Sequence, residues 1–246
     1  MIRNLVKKII SNSHLPLYFI EDIVTSKNLV KLLKNFKINK VFDVGANKGQ
    51  YAEILINNGY KGKIVSFEPL TEAYSTLLLK KNKYKGWEIA ERCAIGDQDK
   101  EIFINISKNL WSSSILPMLS SHTKYAPESQ YIETEKVQMF KMDTICPKYI
   151  EKDDIIFLKM DVQGYEKFVL RGSEKLLNRI KGIQLECSLL PLYDGEMLFN
   201  ESIKNIESKG FTLCDIIPGF RDRSSGRLLQ VDCIFFKEGL ITSILD

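Results

Sequence analysis

The stretch Lys40-Val41-Phe42-Asp43-Val44-Gly45-Ala46-Asn47-Lys48-Gly49-Gln50 decides the fold. Its mostly apolar opening is too short for a helix and has the composition of a strand buried on both faces. Gly45 then lets the backbone turn and come close to a ligand, and Gly49 lets a helix start against that turn. Helical spacing follows over residues 50–58 and stops at Gly59, a C-terminal cap.

Outward from this unit the pattern repeats. Residues 64–69 read as a second strand stopped by Pro69, 71–81 as a helix, 87–95 as a third strand and 101–106 as a fourth, alternating one. Residues 136–142 resume as a strand, and the run 155–160 is apolar but for Lys159, as in a central parallel strand. A helix is expected over 165–180, a strand over 183–186 and a helix over 201–209 closed by Gly210. Residues 211–217 and 228–236 pair as a C-terminal antiparallel hairpin. Strands alternating with helices, then a hairpin, predict an α/β fold with a doubly wound, mainly parallel sheet. Upstream, 20–36 is helical, so residues 1–39 form a helical extension packed on a domain spanning 40–246.

The chain has 246 residues, enough for one α/β domain with a full core. With 44% hydrophobic and 27% charged residues it has a globular composition, and its net charge of +4 is too small and too scattered to mark a nucleic-acid surface. Five cysteines, widely spaced and without a CxxC pair, fit neither a disulfide framework nor a zinc knuckle. A reducing cytoplasm is the expected location. Arg3, Lys7 and Lys8 start the chain, but residues 11–16 interrupt any signal-peptide core, and no apolar run is long enough for a membrane span. Leu5, Val6, Ile9 and Ile10 give the first helix a packing face, with weak peripheral membrane contact as the alternative.

In an open α/β sheet, ligands bind beyond the carboxyl ends of the strands, so the strand-end residues are the ones to read. Asp43 leaves the first strand toward that site. Against the dinucleotide fingerprint GxGxxG, Gly45 fits, but Asn47 and Gln50 replace the second and third glycines. A pyrophosphate needs open backbone where Asn47 stands, so the turn suits a nucleoside without phosphates better than NAD. Glu68 ends the second strand, where an acid either accepts bonds from both ribose hydroxyls or caps the turn.

Further along, Asp161 ends the run 155–160, with Lys159 two residues earlier on the same face, and Glu186 ends the next strand. The two carboxylates with the lysine either act as a general base or hold a divalent cation (Mg²⁺ or Mn²⁺). Alternatively, Lys159 and Asp161 form a structural ion pair that orients the turn at Gly164. Residues 109–129 are long for a structureless connection, and 105–135 is read as an acceptor-site loop or lid. Trp111, Tyr125 and Tyr131, with Ser112, Ser113 and Ser114, are placed to face a sugar ring. His122 in that segment is either solvated or a base delivered by a lid.

Residues 41–49, Ser66-Phe67-Glu68-Pro69, Cys93-Ala94-Ile95-Gly96-Asp97, Met142-Asp143-Thr144, residues 158–166 and residues 229–235 occur in this order. In these motifs the chain resembles the FkbM family of S-adenosylmethionine-dependent methyltransferases. The resemblance implies a Rossmann-like class I methyltransferase fold and S-adenosyl-L-methionine as cofactor. It also implies O-methylation of a hydroxyl on a small-molecule or carbohydrate acceptor: a sugar, a glycan precursor or a secondary metabolite. Asp43, Gly45, Ala46, Asn47 and Gly49 would then line the methionine portion, Glu68 with Pro69 the ribose, and Cys93 with Ala94 the adenine. Gln163 departs from the glutamate common in the family and removes a charge beside Asp161. Two other readings stay open: a cofactor-binding module without turnover, and an RNA methyltransferase. The second needs a basic platform with stacking aromatics, which the lysines of 80–85 are poorly placed to supply. A homo-oligomer is compatible with each.

Overall fold

The computed structural model describes residues 17–239 apart from 83 and 223, with residues 17–24 described by their backbone alone. The apolar face assigned to Leu5, Val6, Ile9 and Ile10 lies outside the described residues. In chain order the elements begin with α1 (Leu17–Asn35), β1 (Lys40–Val44), α2 (Gln50–Asn57), β2 (Lys63–Phe67), α3 (Thr71–Lys81) and β3 (Trp87–Ile89). Next come β4 (Ala94–Ile95), β5 (Lys100–Ser107), α4 (Ser120–Tyr125), β6 (Tyr131–Phe140) and α5 (Met142–Ile145). The chain continues with β7 (Ile156–Met160), α6 (Glu166–Arg171), β8 (Ile180–Ser188), α7 (Phe199–Glu207), β9 (Phe211–Pro218) and β10 (Gln230–Lys237).

The main sheet has seven strands in the order β3-β2-β1-β7-β8-β10-β9. Its first five run parallel, and β10 pairs antiparallel with both β8 and β9. Strand order reverses between β1 and β7, which makes their carboxyl ends the switch point. All five residues of β1 are buried, with Phe42 and Val44 packing into one core layer and Val41 into the other. Each such apolar side chain contributes about 1.5–3 kcal/mol on burial. Lys40, at the solvent-poor start of the strand, is neutralised by Asp154. Leu29, Val30 and Leu33 of α1 and Phe36 just beyond it join the second layer, and Phe36 stacks on Phe236 with ring centroids 3.7 Å apart. Among the described residues no helix is long and apolar enough to cross a membrane.

Three elements depart from the sequence reading. The strand expected over 87–95 is two: β3 completes the edge of the main sheet, and β4 joins a three-stranded sheet of order β4-β6-β5. Ala90 N makes a last bond to Ser66 O (3.0 Å), and Gly96 N then bonds to Phe140 O (2.9 Å) in the other sheet. The strand expected at 136–142 instead starts at Tyr131, paired with β5 almost along its length. The helix expected over 165–180 ends at Arg171, because Gly172 crosses the backbone of Gly96 so closely that a Cβ there would lie 1.9 Å from Gly96 O. Beyond it, the Asp143 carboxylate accepts bonds from Lys175 N (3.0 Å) and Leu176 N (2.8 Å), fixing the chain's return to β8.

Candidate active site

A cavity of about 1010 Å³ opens over the carboxyl ends of β1, β2, β7 and β8, large for a single drug-sized ligand. One half is built on the turn after β1. Gly45 N and Ala46 N both donate to Phe67 O (3.1 and 3.0 Å), and Asp161 N donates to Val44 O (3.1 Å), so the turn is stitched to both neighbouring strands. Gly45 has φ 78, and Asn47 holds the left-handed region at φ 49, which asparagine tolerates. Asn47 N donates to Glu68 Oε2 (2.7 Å) and Asn47 Oδ1 accepts from Lys48 N (2.7 Å). Its N–H is therefore committed and cannot cradle a pyrophosphate.

Glu68 is 4% exposed and lies on the cavity. Its second oxygen accepts from Leu70 N (2.9 Å). Burial pushes its carboxyl up to about 7, against the downward pull of the Leu70 and Asn47 N–H groups. Each oxygen keeps a lone pair free of these two backbone bonds. Gly45, Ala46, Asn47, Glu68, Pro69, Cys93 and Ala94 all line the cavity. Asp43 and Gly49 do not reach it. Asp43 is fully buried, accepts from Ser66 Oγ (3.1 Å) and faces Lys159 Nζ at 3.2 Å. Gly49 packs so tightly that a Cβ would lie 2.6 Å from the Trp87 ring.

The other half is built where β7, β8 and β10 end. Lys159 is 5% exposed and its ammonium sits among Asp43, the Gly45 carbonyl (3.2 Å) and Asp161 Oδ2 (3.5 Å). Burial alone pulls this lysine toward neutrality, but Asp43, Asp161 and the more distant Asp232 outweigh it and hold it charged. Tyr51 covers it, with Nζ 5.2 Å from the ring centroid, and donates its hydroxyl to Gln184 Oε1 (2.8 Å). Asp161 is half-buried at the cavity wall. Gln163, at φ 54, donates through Nε2 to Asp161 Oδ1 and to Glu186 Oε2, both at 2.8 Å. Gln230 Nε2 reaches the same Glu186 oxygen at 2.8 Å. Burial first, then Asp161, Asp232 and Glu166, push the Glu186 carboxyl well above the ordinary range.

The structure thus brings Lys159, Asp161 and Glu186 together, and adds residues that the sequence reading did not assign. Asp232 lies directly opposite Glu186 in the β8–β10 register and faces the cavity, its carboxyl raised to about 6 by burial and by Asp161. The available signal was periodic: Gln184 with Glu186, and Gln230 with Asp232, interrupt apolar strands at the two-residue spacing of one face. Between Asp161 and Glu186 stands the Gln163 amide nitrogen, a donor without a free lone pair. Among the described residues no group of three or more His, Cys, Asp or Glu side chains is arranged to hold a metal.

The segment between β5 and β6 forms the far wall. Asn109 organises it, with Nδ2 donating to Ser112 Oγ (3.1 Å) and Ser129 Oγ (3.2 Å), and Oδ1 accepting from Ser107 Oγ (2.8 Å) and Ser112 N (3.1 Å). Leu110 is held at φ 64, a strained region for a leucine, and the next residue, Trp111, stands 64% exposed at the cavity. Tyr125 also lines the cavity, whereas the Tyr131 hydroxyl donates to Leu116 O (2.8 Å). His122 is not solvated. It is 3% exposed, edge-on to Tyr193 at 5.1 Å, and burial lowers its pKa to about 4.

Several solved structures are similar to this chain. Magnesium protoporphyrin IX methyltransferase from Synechocystis PCC 6803, with bound S-adenosylmethionine, has a TM-score of 0.49 and 10% identity over 89% of this chain and 81% of that one. A putative RNA methyltransferase from Pyrococcus horikoshii has a TM-score of 0.45 and 12% identity, covering 87% and 84%. Precorrin-6y C5,15-methyltransferase from Geobacter metallireducens has a TM-score of 0.43 and 12% identity, covering 86% and 87%. No curated protein matches the chain in sequence. Residues 43–213, well over half of the chain, match the methyltransferase FkbM domain. The span runs from the last buried acid of β1 into β9 and takes in the whole switch point, and the chain therefore belongs to the FkbM family of S-adenosylmethionine-dependent methyltransferases.

Proposed function

We propose that this methyltransferase acts on a hydroxyl oxygen of a small acceptor, a sugar, glycan precursor or secondary metabolite, and that Asp161 removes the acceptor proton. The observation that carries the reading is the half-buried Asp161 carboxyl, set at the switch point on the cavity wall with Lys159 Nζ 3.5 Å from its Oδ2. The donor belongs on the Gly45 side. There Glu68 accepts the ribose hydroxyls, the open turn at Gly45, Ala46 and Asn47 leaves room for the methionine tail, and Cys93 and Ala94 flank the adenine. Asp43 supports this wall from behind by fixing Lys159. Glu186 and Asp232, both raised by burial and by Asp161, sit in a half rich in acids around the ammonium of Lys159, which suits a cationic donor beside it.

Bound S-adenosylmethionine supplies a methyl carbon made electrophilic by its sulfonium. The chain's own residues then align and deprotonate. Alignment in a near-attack geometry supplies on the order of 7 kcal/mol or more in favourable cases. An alcohol keeps its proton until the bond forms, so a base must stand at the oxygen, and the Asp161 carboxyl lies on the cavity wall at the switch point to serve as one. Trp111 and Tyr125 provide flat apolar surface for the acceptor, and the far wall of 105–135 excludes water. The RNA reading is not favoured: Lys124 and Arg221 at the cavity are matched by Glu128 and Asp222. Five free cysteines support a reducing, cytoplasmic setting.

The test is incubation of the protein with methyl-labelled S-adenosylmethionine and a panel of sugars, nucleotide sugars and phenols, read by mass spectrometry. Label transferred to oxygen supports the proposal. Cofactor binding with no transfer to any hydroxyl, but transfer to an amine or RNA, overturns it.

A further inference from the structure

Asp161 and Glu186 are joined through a single atom. Gln163 Nε2 lies 2.8 Å from Asp161 Oδ1 and 2.8 Å from Glu186 Oε2, using both of its hydrogens. The amide oxygen is engaged too, accepting from Tyr193 Oη at 2.7 Å. Reversed, the amide would set its oxygen against two carboxyl oxygens and lose the tyrosine donor, so the hydrogen bonds fix its orientation. The backbone is equally determined. Gln163 sits at φ 54, its carbonyl accepts from Ser114 Oγ (2.7 Å), and Gly164 at φ 90 packs against Tyr193. A non-glycine residue in that region costs about 1–3 kcal/mol, and such strain persists only where the surroundings impose it.

We propose that Gln163 replaces a divalent cation in this site: its amide nitrogen ties Asp161 to Glu186 at the position a metal would take. Two oxygens converging on one centre from two strand ends is the arrangement by which Mg²⁺ or Mn²⁺ gathers carboxylates, at about 2.0–2.6 Å from the ion. Here a neutral donor gathers them instead, at hydrogen-bond length. The amide keeps the carboxyl groups apart and aimed without supplying a Lewis acid, so Gln163 is a positioning residue and the pair works without metal. The inference rests on the proposed role of Asp161 only for its catalytic meaning. Its test uses metal alone and is read whether or not an acceptor is known.

The experiment is titration of Mn²⁺ into the whole protein, followed by electron paramagnetic resonance and thermal melting. Wild type is expected to bind no Mn²⁺ at this site. Gln163→Glu puts a third carboxyl group beside Asp161 and Glu186 and is expected to gain a Mn²⁺ site that wild type lacks. Its melting temperature should rise with Mn²⁺, and Glu186→Gln in that background should abolish the gain. Should Gln163→Glu fail to fold, Gln163→Ala opens the same position without adding charge and is expected to gain weaker Mn²⁺ binding that also requires Asp161. Wild-type Mn²⁺ binding that is lost in Asp161→Asn overturns the proposal, as does a folded Gln163→Glu or Gln163→Ala protein that binds no more Mn²⁺ than wild type.

Discussion

A methyl group added at Gly45 would lie 1.9 Å from the carbonyl oxygen of Asp161. The turn after β1 and the turn after β7 are thus in contact through bare backbone. Gly195 has a similar φ of 76 but nothing within 4 Å of its would-be Cβ. Gly195→Ala should therefore bear only the backbone penalty, about 1 kcal/mol, and lose roughly 2–4 °C in Tm. Gly45→Ala should lose several times as much, because Asp161 must move. Equal losses in thermal melts would show that the close approach is soft.

Glu68 should make cofactor binding depend on pH. In the free protein its carboxyl is raised to about 7, whereas a ribose diol donating two hydrogens favours the ionised form. Affinity should then rise about tenfold between pH 6 and pH 8, as the proton no longer has to be displaced. Glu68→Gln should weaken binding and flatten that profile, leaving only the ligand's own titration. Calorimetry at several pH values checks both, and an unchanged profile in the variant would assign Glu68 to the turn alone.

Asp161→Asn retains size and its contact with Gln163 but removes the charge. On an acceptor that the wild type methylates, kcat should fall by a factor of roughly 100 or more. Cofactor affinity should change little, since Glu68 and the Gly45 turn are untouched. Near-normal turnover would leave Asp161 as a structural partner of Lys159.

Without ligand, the protein should be more stable in mild acid than in mild base. Glu68, Glu166 and Asp232 are raised to about 7, 8 and 6, mainly by burial. An acid raised in the folded state binds its proton more tightly there than when unfolded. Stability from these groups is therefore present below the folded pKa and declines as pH rises from about 5 to 8. His122, lowered to about 4 by burial, works in the opposite direction alone. Tm should thus be several degrees higher near pH 5.5 than near pH 8, and a Tm that rises over this interval would contradict the burial of the three carboxyls.

The fold was legible where local pattern and burial agree. The β1 turn declares itself because a strand buried on both faces must be apolar, and because two glycines mark the close approaches, Gly45 to the backbone of Asp161 and Gly49 to the Trp87 ring. Glu68 and Asp161 were legible as polar residues that end such strands. Asp43 obeys the same rule but is turned inward, since Lys159 on the neighbouring strand demands a counter-charge, and a cross-strand partner is invisible in one strand. The break between Ile89 and Ala94 escaped notice because both halves are good strand sequence and only the choice of sheet differs. Asp232 was hidden by distance: β10 reaches Glu186 only after the chain has gone out to the sheet edge and returned. His122 reads as a loop residue, and its burial against the rings of Tyr193 and Phe220 comes from segments distant in the chain.

The far wall of the cavity leaves and rejoins the protein at a single place, since Ser107 and Tyr131 face each other across β5 and β6. The residues between them line the site without contributing a strand to the main sheet. Lengthening such an excursion adds only slowly to the entropy of closing it, about 0.6 kcal/mol per doubling. On the proposed assignment of this segment to the acceptor, substrate choice is set in one insertion, while the proposed donor half is anchored in the central strands. Exchanging residues 108–130 between relatives would then have to preserve the bonds this segment makes to Gln163 O, Leu192 O and Asp194 N.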